Sequence, residues 1–274
     1  MKYSPTEINN NIKKYDFNFK KKFGQNFIAD ENIIDNIIRE AKMDEDTLVI
    51  EVGPGAGALT YKLSKNAGAV LCYEIDTTLK NMLANNLKDC DNVEVIYQDF
   101  LKADVLTDIN KYNYKNLYLI ANLPYYITTP IIMKIIDDCI DVDKMLVMVQ
   151  KEVGDRFNAK PNTKNYNSLS VFLQYNFNIR KALDVSRNVF VPKPNVDSAV
   201  IEFSKKERIP VKDINLFYRL VKDSFVQKRK TLRNNLKTYN LTKIEEVLRK
   251  YDFDLNVRAE QLSIDIFIDI SNNL

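Results

Sequence analysis

The sequence contains no histidine and no tryptophan among its 274 residues. Without histidine there is no Ser-His-Asp triad, no histidine general base and no histidine-ligated metal centre. Three widely spaced cysteines, Cys72, Cys90 and Cys139, provide neither a CxxC motif nor a disulfide framework. We therefore expect no metal site, and the free cysteines favour a reducing compartment, by default the cytoplasm.

Long hydrophobic runs are also lacking. No apolar stretch approaches the roughly 20 residues that a membrane span requires, and the first residues lack a hydrophobic signal region. We expect no membrane partner and, because nothing indicates an oligomer, a monomer. The length suits one large domain, or a large and a small one.

Glycine is scarce, with six residues where average usage would give about nineteen. Three of the six, Gly53, Gly55 and Gly57, lie within five residues. Such a concentration in a glycine-poor chain marks a turn at which the backbone must approach something closely.

Short apolar runs alternate with helical patterns over the first 150 residues. Continuous apolar runs of about five residues are typical of strands buried on both faces of a parallel sheet. Strand–helix–strand repeats predict an open α/β sheet. The predicted strands are Leu48–Val52, Ala69–Tyr73, Val93–Tyr97, Leu117–Ala121 and Met145–Val149, and the predicted helices are Ala58–Asn66, Thr77–Leu87 and Thr128–Asp138.

The C-terminal part has a helical pattern and a basic charge. Beyond residue 205 the apolar periodicity predicts a small all-helical domain, which gives domains 1–205 and 206–274. From Lys205 to Leu274 there are 15 basic and 10 acidic residues, a net +5 within a total of +3. This distribution suits a polyanion such as nucleic acid, although a solvated lysine-rich surface is the simpler interpretation of the charge alone. The predicted RNA-contacting cations are Lys228, Arg229, Lys230 and Arg233.

Polar residues follow successive predicted strands. Glu51-Val52-Gly53-Pro54-Gly55-Ala56-Gly57 lies between a strand and a helix, and its GxGxG spacing differs from the GxGxxG of dinucleotide-binding loops. Glu74 ends the next strand, where a carboxylate can accept hydrogen bonds from ribose hydroxyls. Asp99 follows the third strand and could accept from an adenine amino group. This set favours a nucleoside ligand without a pyrophosphate.

Asn122-Leu123-Pro124-Tyr125 follows the fourth strand, at the edge where such sheets bind ligands. An exocyclic base amine is a poor nucleophile because its lone pair is delocalised into the ring. The Asn122 side-chain oxygen and a neighbouring backbone carbonyl could accept its two N–H groups, while Tyr125 stacks on the base. Such a reaction needs no histidine, since the nitrogen becomes acidic after attack.

These motifs, in this order, resemble the ribosomal RNA adenine N6-dimethyltransferases, and the resemblance covers nearly the whole chain. Further similar segments are Phe23–Phe27, Gln150–Val153, Phe190–Ser198 and Lys228–Leu236. The last of these and Asn-Leu-Pro-Tyr point to the small-subunit (KsgA-type) branch. The resemblance implies a Rossmann-like class I methyltransferase sheet with a small C-terminal all-helical domain.

The resemblance further implies S-adenosylmethionine as methyl donor and two adjacent adenines near the 3′ end of small-subunit rRNA as substrate, with a role in ribosome biogenesis. Carried over by position, Asn26, the Ile28 backbone and Gly53 lie at the donor's methionine end. Asn122 faces both donor and target, and Phe190 forms a second wall for the flipped base. Asn167 departs from the family's usual glycine.

Three alternatives remain open from the sequence. An erythromycin-resistance-type enzyme would modify the large subunit and more often has Asn-Ile-Pro-Tyr. A non-catalytic RNA-binding assembly factor could use the same fold. A nucleotide-dependent oxidoreductase would need the dinucleotide-loop spacing, which is absent.

Overall fold

The structure is a computed structural model that describes residues 19–20, 24–124 and 126–274. The chain divides into two compact units. The first comprises the described residues up to Gly154 together with Arg180–Ser204, and the second comprises Asp155–Ile179 and Lys205–Leu274.

Most of the strands form one mixed sheet in the order β4-β3-β2-β5-β6-β9-β7, and β1 pairs separately with β8. Strands β4, β3, β2, β5 and β6 run parallel, whereas β9 is antiparallel to β6. In chain order the strands are β1 (Phe27–Ile28), β2 (Thr47–Val52), β3 (Ala69–Tyr73), β4 (Val93–Ile96), β5 (Asn116–Asn122), β6 (Lys144–Gln150), β7 (Phe177–Val185), β8 (Phe190–Val191) and β9 (Ser198–Lys205).

The helices alternate with the strands of the first unit and dominate the second. Within the described residues, none is long and apolar enough to cross a bilayer. In chain order they are α1 (Glu31–Ala41), α2 (Ala58–Ser64), α3 (Lys80–Asn86), α4 (Val105–Ile109), α5 (Thr128–Asp137), α6 (Lys151–Phe157), α7 (Ser168–Asn176), α8 (Ile214–Ser224), α9 (Leu232–Asn235), α10 (Leu241–Arg249) and α11 (Ile264–Asn273).

The predicted α/β fold is confirmed, and the five predicted strands agree with β2–β6 to within one residue at either end. The inner strands are buried on both faces of the sheet. Val49 packs against residues of α1 and α2 on one face, and Leu48 and Ile50, which point to the other face, are equally inaccessible to solvent. Two features were not predicted. The antiparallel insertion of β9 depends on long-range pairing, and β1 and β8 are too short to carry a sequence periodicity.

Helix α1 illustrates how the local sequence sets an element. The Asp30 carboxylate caps its N-terminus by accepting from the Asn32 backbone N–H, and the helix ends at Lys42 in the left-handed region. Ile34 and Ile37 lie on its buried face against the sheet. Burial of two isoleucines contributes several kcal/mol, roughly 1.5–3 each, which exceeds the effect of the cap.

The observed division differs from the predicted limits, 1–205 and 206–274, in the segment Asp155–Ile179. The apolar side chains of this segment, Tyr166 and Tyr175 among them, share a buried core with Phe217 and Leu220 of α8. The helical unit is therefore assembled from two separated stretches of chain. The prediction assigned Asp155–Ile179 to the sheet domain because these residues precede residue 205 in the chain.

Asn167, the departure from the resembled family, has a structural role as the cap of α7. Its backbone is extended, with φ −158°, so no glycine is required. Its side-chain oxygen accepts from the Leu169 and Ser170 backbone N–H groups, and the Ser170 hydroxyl accepts in return from the Asn167 N–H. This reciprocal pair is a capping box, which stabilises the start of α7.

Candidate active site

A cavity of about 230 Å³ lies in the first unit, at the carboxyl ends of four neighbouring parallel strands, β4, β3, β2 and β5. Chain segments that follow each of these strands contribute to its lining. Open α/β sheets bind their ligands at this edge, in the crevice between the loops that follow the carboxyl ends of the strands. Among the described residues no group of three acidic or cysteine side chains is placed to hold a metal ion.

The glycine loop after β2 forms one wall of the cavity. Gly53 and Gly55 have positive φ angles of 73° and 58°, which other residues rarely adopt. A side chain at Gly53 would meet no atom within 4 Å, whereas a Cβ at Gly55 would lie 2.8 Å from the Phe27 ring. The backbone at Gly55 therefore lies close to the Phe27 ring, whereas the backbone at Gly53 borders open space.

Glu74 follows β3 and lines the cavity although only 3% of its surface is exposed. Its carboxylate accepts from the backbone N–H of Gly55 at 3.2 Å and of Asp76 at 2.8 Å. Burial raises the pKa of the Glu74 carboxyl to about 7, against these two bonds, which lower it. The two backbone donors fix the carboxylate at the glycine loop.

A second buried carboxyl, Glu51, lies in β2 and also lines the cavity. The Cys72 thiol of β3 donates to it, with 3.6 Å between Sγ and Oε2. Burial raises the pKa of the Glu51 carboxyl to about 8. Its acidic character on an otherwise apolar strand was the signal that could have marked it as a cavity residue.

Asp99 follows β4 and reaches the same cavity. One carboxylate oxygen accepts from the Leu101 backbone N–H at 3.0 Å and so caps a short 3₁₀ turn. The side chain is half-buried, so the cap leaves its second oxygen accessible to a ligand in the cavity.

Asn122 ends β5 with its amide held in one orientation. Its Nδ2 donates to the Asn26 backbone carbonyl at 2.7 Å, and Asn26 in turn donates from its side chain to the Gly24 carbonyl at 3.0 Å. Since the nitrogen is committed, Oδ1 is the group left to accept from a ligand. Leu123 beside it is buried and lines the cavity.

The N-terminal segment covers this edge of the sheet. Asn26 and Ile28 line the cavity, and Ile28 is buried in β1. The structure thus brings together Asn26, Ile28, Glu74 and the other predicted donor-binding residues, Gly53, Gly55, Asp99 and Asn122. Tyr125 and Phe23 lie outside the described residues.

Such a site suits a nucleoside ligand. The fixed Glu74 carboxylate can accept hydrogen bonds from the two adjacent hydroxyls of a ribose, and the accessible Asp99 oxygen can accept one from an amino group of the base. The open space at Gly53 leaves room for a substituent attached to the nucleoside. A model of the family described as ribosomal RNA adenine dimethylase matches residues 16–274.

The chain belongs to the ribosomal RNA adenine dimethylase family. It is an enzyme that transfers methyl groups to adenines of ribosomal RNA, and the methyl donor of this family is S-adenosylmethionine. The chemistry of the cavity fits that donor. The anchored Glu74 carboxylate suits the ribose of a nucleoside, and the open space at Gly53 suits the amino-acid chain attached to it.

Curated relatives of this family match along almost the whole chain. The ribosomal RNA small subunit methyltransferase A of Streptococcus pyogenes serotype M18 is 45% identical over 273 residues, which cover 96% of this chain and 94% of the relative. The protein of the same name from Streptococcus thermophilus strain LMD-9 is 45% identical over 274 residues, with the same shares.

Solved structures of methyltransferases share the fold. A dimethyladenosine transferase from Plasmodium falciparum superposes with a TM-score of 0.75 at 25% identity, covering 88% of this chain and 94% of its own. The 23S rRNA methyltransferase ErmE superposes with a TM-score of 0.68 at 24% identity, covering 90% and 99%.

Phe190 is not among the residues that line the cavity, and its role as a second wall for the target base stays a prediction. In the β1–β8 pair, Phe190 lies opposite Ile28, and Phe27 opposite Val191. Because side chains alternate between the faces of a strand pair, Phe190 shares the sheet core of Ile28, while Val191 packs with Phe27. Phe190 is 3% exposed.

The predicted RNA-binding cations lie in the second unit, before and within α9. Lys228, Arg229, Lys230 and Arg233 are all exposed. Lys228 Nζ donates to the Lys164 carbonyl at 2.9 Å, and none of the four makes an ion pair with a described residue. They form a cationic surface, hereafter the α9 patch.

Sequence reasoning missed the apolar walls of the cavity. Ile75 and Leu101 line it and are 48% and 36% exposed, unusual for large aliphatic side chains. Tyr126 lines it as well. Ile75 directly follows the predicted site residue Glu74, and Leu101 lies two positions beyond Asp99. Tyr126 follows the Asn122–Tyr125 motif. An apolar side chain at such a position, beside a ligand-binding edge, was the available signal.

Proposed function

We propose that this protein dimethylates N6 of two adjacent adenines in the 3′-terminal hairpin of small-subunit (16S) ribosomal RNA, as a step in small-subunit biogenesis. The small-subunit assignment is supported by relatives of that name at 45% identity across the chain. ErmE, at 24% identity, supports the fold alone. The proposed setting is the cytoplasm, where the protein acts as a monomer on the 30S precursor.

The observation that carries the proposal is the fixed amide of Asn122 beside the donor cavity. The bond from Nδ2 to the Asn26 carbonyl leaves Oδ1 as an acceptor at the carboxyl edge of β5. An acceptor in that position can bind an amino group and would repel a carbonyl oxygen. The site is therefore suited to adenine rather than to a base that presents oxygen at the same position.

The donor-binding roles follow the polarity of the cavity lining. Glu74 accepts from the ribose hydroxyls, and Asp99 accepts from the adenine amino group of the donor. Ile75 and Leu101 supply apolar contact for its base. Asn26, the Ile28 backbone and the open space at Gly53 accommodate the methionine end, and Gly55 continues the same wall of the cavity.

The transfer is an in-line displacement in which bound S-adenosylmethionine supplies an electrophilic methyl group on a sulfonium centre. Asn122 Oδ1 and the Leu123 backbone carbonyl accept the two N–H groups of the target amine. These bonds increase electron density on the nitrogen and direct its lone pair. Positioning of this kind, together with exclusion of water, can contribute roughly 7–11 kcal/mol.

No general base is required for this reaction, in agreement with the absence of histidine. The attacking nitrogen becomes cationic as the new N–C bond forms, and it then releases its proton to water. After the first transfer one N–H remains, so one of the two acceptors is sufficient to orient the second. Tyr125, as a stacking surface for the base, stays a prediction.

RNA binding is assigned to the α9 patch. Its exposed cations can contact phosphates, which gives affinity and a dependence on salt rather than sequence specificity. The helical unit would then hold the RNA while the sheet unit carries the reaction.

The direct test is methyl transfer from labelled donor to unmethylated 30S particles, with 50S particles and naked rRNA as alternatives, followed by mapping of the modified bases. Four methyl groups on two adjacent adenines of 16S rRNA are expected. Labelling confined to 23S rRNA would instead identify a large-subunit enzyme. Binding to 30S particles without methyl transfer would identify an assembly factor and overturn the catalytic proposal.

A further inference from the structure

Asp76, which follows Glu74 by two residues, is an almost inaccessible carboxylate with four donors. Its side chain is 1% exposed. Oδ1 accepts from the Thr78 backbone N–H at 3.2 Å, the Thr78 hydroxyl at 2.6 Å and Lys20 Nζ at 2.6 Å. Oδ2 accepts from Gln25 Nε2 at 2.9 Å.

Capping of the short turn at residues 77–79 accounts for part of this arrangement. Asp104 provides the comparison, since it caps α4 with the same chemistry. There one oxygen accepts from the Thr107 backbone N–H and the other from the Thr107 hydroxyl. At Asp76 both cap contacts fall on Oδ1, and Oδ2 is given to Gln25.

The hydrogen bonds of the Asp76 carboxylate beyond its cap both go to the N-terminal strap, defined as Phe19, Lys20 and Gly24–Ile28. Within the strap, the Lys20 backbone N–H donates to Gln25 Oε1 at 2.9 Å. That bond fixes which end of the Gln25 amide faces Asp76. Lys20, Gln25 and Asp76 therefore close a ring of three mutually oriented hydrogen bonds.

The next residues of the strap reach the loop after β5. The Asn26 carbonyl accepts from Asn122 Nδ2 at 2.7 Å. At Gly24 a Cβ would lie only 3.3 Å from both Pro124 and the Tyr126 ring, so the strap rests directly on this loop. The strap thus joins the loop after β3 to the loop after β5 across the mouth of the cavity.

The charge of Asp76 strengthens its hold on the strap. Burial alone would raise the pKa of its carboxyl, but the hydrogen bonds from Lys20, Thr78 and Gln25 outweigh burial and lower it. The group is therefore ionised at neutral pH and pairs with the Lys20 ammonium. Hydrogen bonds to a charged group are stronger than neutral ones.

We propose that Asp76 is a positioning residue, which anchors the N-terminal strap through Gln25 and Lys20 and thereby holds the Asn26 carbonyl where it orients the Asn122 amide. This role rests on the proposed function of Asn122 and the donor cavity. Asp76 does not line the donor cavity, and it acts through the strap. Its loss opens the cavity on the strap side and frees the Asn122 amide to rotate.

The experiment uses an exchange of groups between positions 25 and 76. Gln25→Glu sets two carboxylates against each other, and Asp76→Asn removes the charge that Lys20 pairs with. In the double variant Gln25→Glu/Asp76→Asn the amide and the carboxylate change places, so one donor–acceptor pair is restored. Asp104→Asn is the matched control, a cap of the same chemistry away from the strap.

Donor affinity is measured by calorimetry with S-adenosylmethionine, alongside thermal unfolding and kcat on 30S particles. Each single variant is expected to bind the donor about tenfold more weakly, the value of one charge-assisted hydrogen bond. Asp104→Asn is expected to bind as the unaltered protein does. The double variant should recover most of the lost affinity and of kcat.

Two results would overturn the proposal. One is donor affinity and kcat in both single variants equal to those of Asp104→Asn. The other is a double variant as weak as the product of the two single effects. The affinity readout contains no RNA, so failure of the small-subunit assignment would appear separately, as an unaltered protein that binds donor but does not methylate 30S particles.

Discussion

Hydrogen-bond direction at Asn122 determines what the proposed catalytic amide can do. The side-chain nitrogen donates to the Asn26 carbonyl at 2.7 Å, which assigns the acceptor end to the cavity. An aspartate in the same place would face that carbonyl with like charge. An alanine would keep the strand and lose both functions of the amide.

Asn122→Ala is expected to lower methyl transfer by about 10²–10³-fold, comparable with the loss of one catalytic hydrogen-bonding group. Donor binding is expected to fall much less, since Glu74 and Asp99 hold the nucleoside. Single-turnover transfer to 30S particles and calorimetry with donor separate the two effects. Asn116→Ala, at the opposite end of the same strand, is the control, and turnover of Asn122→Ala at the control rate would remove Asn122 from the mechanism.

Glu74 predicts a dependence of donor affinity on pH. Burial raises the pKa of this carboxyl from its ordinary 4.5 to about 7. The ionised form accepts more strongly from ribose hydroxyls, and it predominates above that pKa. Donor affinity is therefore expected to rise between about pH 6 and pH 8.

The measurement is calorimetric titration of donor across this range in the unaltered protein and in Glu74→Gln. The variant cannot ionise at this position, so its affinity is expected to be weaker and independent of pH near 7. A rise of the same size in the variant would assign the titration to a different group. Folding stability has the opposite sign, because a raised carboxyl pKa means that stability falls as pH rises from 4.5 toward 7.

At the scale of elements, the turn from β2 to α2 combines two glycines that differ in their surroundings. Both have positive φ, but only Gly55 is pressed against another side chain, the Phe27 ring. Phe27 belongs to β1, so its contact with Gly55 also positions the strap relative to the sheet. Substitution at Gly53 therefore tests backbone strain alone, whereas substitution at Gly55 tests backbone strain together with a steric clash.

Gly53→Ala is expected to cost about 1–2 kcal/mol of unfolding free energy, the strain of a left-handed alanine. Gly55→Ala is expected to cost more, because its Cβ would lie 2.8 Å from the Phe27 ring and force the strap away. Urea denaturation measures both. Equal losses would mean that the Phe27 contact relaxes without cost, and the double variant Gly55→Ala/Phe27→Leu should recover part of the difference.

At the scale of the whole molecule, the total charge of +3 conceals an uneven distribution of charge along the chain. The C-terminal stretch from Lys205 carries a net +5, and the rest of the chain is slightly acidic. The exposed α9 patch has no acidic partner among the described residues, so its charge is available to a polyanion. Counterion release then predicts salt-dependent RNA binding.

Arg229→Gln/Lys230→Gln/Arg233→Gln is expected to weaken rRNA binding and to reduce the slope of log affinity against log salt by about two to three. Donor affinity should not change. The control, Arg249→Gln/Lys250→Gln/Arg258→Gln, removes the same charge elsewhere in the helical unit. Filter binding over a series of salt concentrations gives the slopes, and identical slopes for both triple variants would return the α9 patch to ordinary solvated surface.

Strands β2–β6 and the polar residues that follow them could be predicted from the amino-acid sequence alone. A buried parallel strand requires a continuous apolar run, and the topology of the sheet requires its carboxyl ends to meet at one edge. Glu74, Asp99 and Asn122 could therefore be assigned to one site from their positions in the chain. The glycine loop was predictable because a close approach of the backbone requires glycine.

Which side chains face the cavity, and which segments pack together, depends on contacts between residues far apart in the chain. The face on which Phe190 lies depends on the strand that pairs with β8, and that partner lies more than 160 residues away. Asp155–Ile179 joins the helical unit through contacts with α8 that no periodicity encodes. The ring of Asp76, Gln25 and Lys20 likewise depends on hydrogen bonds between distant residues, whose direction only the folded chain defines.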